Sequence, residues 1–169
     1  SWIKFSGVSW LHDNSGFFYT GYPAPEGSEL SSVNSDSKLF FHELGTPQAG
    51  DQTVFYFPEH PQWGYSADVS DDGNWLFIYG HEGTERKNRL WRLDLHGNWN
   101  DIQPLFTEFD ASYSFLATNE NRAWFSTTLN APKGRIVAIN PANIGQEKLQ
   151  TIVPESDDVL ASVSFVGGK

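Results

Sequence analysis

SADVSDDGNWLFIYGHEGTERKNRLWRLDL, residues 66–95, contains an apolar run (WLFIY, 75–79) and an alternating one (LWRLDL, 90–95). Both are too short for a buried helix, and Asp, Asn and Gly clusters bound them. That combination predicts antiparallel strands joined by tight turns. The same order recurs on either side. GFFYTGY at 16–22 and AWFSTTL at 123–129 correspond to WLFIYGH at 75–81, so that Phe17, Trp75 and Ala123 fall 58 and 48 residues apart. A next strand follows each: KLFFHEL at 38–44, RLWRLDL at 89–95 and RIVAIN at 135–140. A last one follows again: TVFYFPE at 53–59, QPLFTEF at 103–109 and QTIVPE at 150–155. GVSWLHD, SADVSDD and SYSFLATN precede the three units.

Four short strands per unit, repeated three times, is the pattern of β-propeller blades. The sequence predicts an all-β chain with blades over about 4–60, 65–110 and 111–157. Residues 159–169 read as the first strand of a fourth blade. A two-sheet sandwich also accommodates twelve strands, but it leaves the repeat unexplained. The start at Ser-Trp-Ile-Lys, with no Met anywhere, predicts a piece of a longer protein.

The 169 residues carry a formal charge of −10 and no basic stripe, which argues against nucleic acid and anionic membranes as partners. With no Cys, disulfides, thiolate zinc sites and cysteine nucleophiles are excluded together. No apolar run is long enough for a membrane-spanning helix.

Catalytic motifs are missing. There is no G-x-S-x-G, no dinucleotide fingerprint and no P-loop. His12-Asp13, His42-Glu43 and Glu59-His60 pair histidines with carboxylates, but neighbours on a strand point to opposite faces and form no local dyad. His81-Glu82-Gly83-Thr84-Glu85 lacks the spacing of a zinc site, and Ser70-Asp71-Asp72-Gly73-Asn74 reads better as a hairpin turn than as a calcium loop. No cofactor is expected. Of the tryptophans, Trp91 and Trp124 read as core, and Trp63 and Trp99 as surface positions in loops.

KFSGVSWLHDNSGFFYTGYP at 4–23, KLFFHELGT at 38–46, FPEHPQW at 57–63, SDDGNWLFI at 70–78 and NRLWRLDL at 88–95 resemble the propeller of the prolyl oligopeptidase family; TIVPESDDVL at 151–160 continues the likeness. The resemblance implies a seven-bladed propeller capping an α/β-hydrolase domain, which carries a Ser-Asp-His triad and cuts short peptides after proline. This chain would be an interior stretch of that cap, with the hydrolase domain in cis beyond it. By the same resemblance Phe5, in the Lys-Phe-Ser motif, faces the substrate pocket. Gly64 and Thr84 stand where the prototype has larger or sulfur-bearing side chains, and His81 where it has a cavity-facing Arg. The implied partners are short proline-containing peptides, and the implied location is cytoplasmic or periplasmic. Open outer blade faces predict self-association. A stand-alone propeller module binding proteins or glycans is the alternative.

Overall fold

The structure, a computed structural model, describes residues 7–23, 35–145 and 148–164. Twelve strands form three four-stranded antiparallel sheets, each in simple sequence order. The first sheet holds β1 (Val8–Trp10), β2 (Gly16–Gly21), β3 (Lys38–Glu43) and β4 (Gln52–Phe55). The second holds β5 (Trp63–Val69), β6 (Trp75–Glu82), β7 (Asn88–Asp94) and β8 (Gln103–Phe106). The third holds β9 (Tyr113–Asn119), β10 (Arg122–Thr127), β11 (Arg135–Ile139) and β12 (Gln150–Val153). Among the described residues, helix is limited to the 3-10 turns Gln48–Gly50 and Pro141–Asn143.

Turn chemistry explains why the strands stop where they do. Between β5 and β6, Asp72 accepts from the Ser70 hydroxyl at 2.6 Å and from the Asn74 backbone at 3.1 Å, and Gly73 supplies a φ of 75°. Burial pushes the Asp72 carboxyl up, but these hydrogen bonds outweigh it and hold the group below its ordinary range. Its oxygens are spent on the turn, so the hairpin reading stands.

The second sheet is buried on both faces. Along β6, Leu76 and Ile78 pack toward the first sheet with Phe18 and Leu39, while Phe77 and Tyr79 pack toward the third with Phe125 and Val137. A run such as WLFIY is therefore continuous in hydrophobicity because each side of the strand has its own neighbour. On the first sheet, Val8 and Trp10 remain exposed.

The expected places of three tryptophans need correction. Trp63 is not on the surface: it opens β5 and is 7% exposed. Trp99 is half-buried, edge-on to Phe41 at 4.9 Å, with its indole N–H donating to the Leu95 carbonyl at 3.2 Å. Trp91 is in the core as expected, whereas Trp124 is only partly buried. The described part of the fourth unit, 159–164, forms no strand; the Leu160 N–H instead donates to the Lys133 carbonyl at 2.7 Å.

Candidate functional site

Antiparallel pairing brings Gly64 on β5 directly opposite His81 on β6, and Thr84 sits in the turn that follows. Three of the four positions singled out thus share one end of the second sheet. Phe5 lies outside the described residues.

Alternation decides what faces outward at this end. Trp63, Tyr65, Ala67 and Val69 pack against the first sheet, which turns Gly64, Ser66 and Asp68 the other way. Ser66 and Asp68 meet Tyr79 and His81 along a polar groove of about 350 Å³ between the second and third sheets, bordered on the far side by Ser114 and Ser126. His81 lies in the groove; Gly64 and Thr84 are not part of its lining.

His81 is held by Ser66, with Nε2 and Oγ 3.0 Å apart, and its ring stacks on Tyr79 at 6.2 Å. Burial pushes the imidazole below its ordinary range, which favours its neutral form. The Tyr79 hydroxyl donates to Asp68 at 3.0 Å and accepts from the Phe115 backbone at 3.0 Å, tying β6 to β9. Burial first, then the Asp68 charge, raises the Tyr79 phenol well above its ordinary range and keeps it a neutral donor. Asn88, paired with His81 across β6 and β7, reaches the Tyr113 backbone on β9. Among the described residues, Asp68 is the one carboxylate lining the groove and Arg86 the one permanent cation, so the lining carries one charge of each sign.

Among the described residues, no group of three or more His, Asp or Glu side chains gathers as metal ligands. A His–acid pair joins residues that are not neighbours in sequence. His42 Nδ1 lies 2.7 Å from Asp51 Oδ1, and the Tyr19 hydroxyl donates to the other Asp51 oxygen at 2.6 Å. Adjacency in sequence could not show this pair, because β3 and β4 bring together residues nine apart.

The glycine at the rim is open. A Cβ on Gly64 would meet nothing within 4 Å, whereas one on Gly80 would come 2.8 Å from the Trp91 ring. Gly64→Met is therefore expected to change stability by no more than about 0.5 kcal/mol, with Gly80→Ala costing more because Trp91 must shift. Thermal denaturation of the two variants side by side checks this, and a strongly destabilised Gly64→Met would show that the rim is closed.

A family model described as the prolyl oligopeptidase N-terminal beta-propeller domain matches residues 1–169. The dual function macrocyclase-peptidase POPB of Galerina marginata is 34% identical over 167 residues, covering 96% of this chain and 23% of that protein. A prolyl endopeptidase of Elizabethkingia meningoseptica is 34% identical over 159 residues, covering 94% of the chain and 22% of that protein. The solved structure of prolyl oligopeptidase B from Galerina marginata bound to a 25mer macrocyclization substrate superposes with a TM-score of 0.86 at 33% identity, over 97% of this chain and 23% of that one. The chain spans about a quarter of the length of the curated relatives it matches.

Proposed function

Because this chain belongs to the family of the prolyl oligopeptidase N-terminal β-propeller domain, we propose that it forms part of a substrate-gating wall in a proline-specific serine oligopeptidase. In this reading a catalytic α/β-hydrolase domain in cis performs the chemistry on short proline-containing peptides. The propeller admits them and keeps folded proteins and bulk water away. The exposed Val8–Trp10 side of the first sheet packs against a further blade of the same propeller.

One observation carries the reading: a polar groove lined mainly by neutral hydrogen-bonding groups, with His81 among them and a single charge of each sign, at the end of the sheets where Gly64 and Thr84 also lie. A peptide offers alternating N–H and C=O groups, and serine hydroxyls with a neutral imidazole match both without a charge to bury.

NMR titration with an unlabelled proline-containing hexapeptide tests this. Shifts should concentrate at Gly64, Ser66, His81 and Thr84, and the chain alone should release no product, since it carries no nucleophile elbow. Shifts scattered over the surface would remove the peptide reading. Binding of an oligosaccharide or a folded protein at that end would favour the stand-alone module.

A further inference from the structure

We propose that Arg89 is a positioning residue that fixes the end of the second sheet carrying Gly64, His81 and Thr84; its functional meaning rests on the peptide reading above. The Arg89 guanidinium donates to Glu82 Oε1 at 2.6 Å. The same group lies over the Trp63 ring at 4.2 Å and over the Phe109 ring at 4.2 Å. His60 stacks on Trp63 at 3.9 Å with the rings 3° from parallel. Two groups that close to one indole cannot share a face, so Trp63 is sandwiched between His60 and Arg89.

The array draws on separate stretches of chain: the approach to β5, β5 itself, the end of β6, the start of β7 and the link from β8 to β9. Its members border the pocket positions. Trp63 precedes Gly64, Glu82 follows His81, and Trp63 and Glu82 are themselves cross-strand partners. Glu82 and Arg89 straddle the turn that holds Thr84, so their bond closes it like a clasp.

Two further observations show that the array is built around the cation. Phe109 adopts a φ of 55°, a conformation that bulky residues rarely take, and its ring is one of the two over Arg89. The Trp63 indole N–H is buried with no hydrogen-bond partner among the described residues, so stacking holds the ring in place of a polar anchor. Lysine cannot substitute, because a compact ammonium offers no plane to lie between two rings.

The test uses Arg89→Lys, Arg89→Ala and Glu82→Gln in the full chain, with amide hydrogen exchange, denaturant unfolding and the hexapeptide titration. Arg89→Lys should speed exchange about tenfold or more at residues 63, 64, 81 and 82, leave Phe77 and Ile78 within about twofold, and weaken the peptide-induced shifts severalfold. Glu82→Gln should give a smaller change at the same amides. If Arg89→Ala fails to fold, the Lys variant decides alone. Wild-type exchange at the sheet end in Arg89→Lys, or a uniform rise across the whole sheet, overturns the proposal. Absence of peptide shifts in the unmodified chain would sink the peptide reading and leave the exchange result to judge Arg89.

Discussion

Phe77→Ala should lower the free energy of unfolding by about 3–5 kcal/mol, the range for deleting a fully packed aromatic. Phe77 is 0% exposed in the middle of β6, aimed at the third sheet. Its ring meets Phe125 edge-on at 5.1 Å and Phe115 at 4.8 Å, and both partners come from the neighbouring sheet. Truncation therefore removes buried area and leaves a void between two sheets. Backbone ladders on either side are tied by Tyr79 and Asn88 and cannot collapse into it. Aromatic pairing adds about 0.5–1.5 kcal/mol per contact beyond area alone. Urea denaturation reads the effect as a lower midpoint at unchanged slope. A loss under about 1 kcal/mol would mean that the two sheets are not held together through this position.

The same residue shows what was legible in the sequence. Strands announced themselves through WLFIY and its counterparts because two-sided burial leaves an unbroken apolar run, and clusters of Asp, Asn and Gly marked the turns. Trp63 was misplaced because Pro61 and Gln62 precede it and made the stretch read as a loop, although β5 already begins there. Of the residues that line the groove, the sequence reading names His81 but not Ser66, Asp68, Tyr79 or Asn88. The signal for the first two was present, since they alternate with Tyr65 and Ala67, but alternation alone does not say which face meets another sheet. The His42–Asp51 pair and the Arg89 array depend on strand pairing and on sheet stacking, and no local window contains either. Local chemistry specified the elements; the site arises where elements from different units meet.

Asn88→Ala should cost about 2–6 kcal/mol, because it strands two buried backbone groups at about 1–3 kcal/mol each. Asn88 is 5% exposed at the start of β7. Its amide nitrogen donates to the Tyr113 carbonyl at 2.9 Å, and its amide oxygen accepts from the Tyr113 N–H at 2.7 Å. The side chain thus imitates a strand, offering one donor and one acceptor to a single residue of the next sheet. Its own backbone N–H donates to Ala111 at 3.1 Å, which holds the approach to β9 in place. Alanine keeps that last bond and loses the other two, leaving the Tyr113 backbone N–H and carbonyl without their side-chain partners. Asn88→Asp separates the halves of the effect. The acceptor survives, but a carboxylate oxygen then faces the Tyr113 carbonyl, an arrangement that favours the protonated acid and raises its pKa above that of the unfolded chain. The penalty is therefore full above the raised pKa and shrinks as the pH falls through it, when the acid can donate. Denaturant unfolding of both variants at neutral and acidic pH distinguishes this from simple loss of packing: an Ala variant as stable as the unmodified chain, or an Asp penalty that does not shrink on acidification, would show that the clamp does not join the two sheets lining the groove.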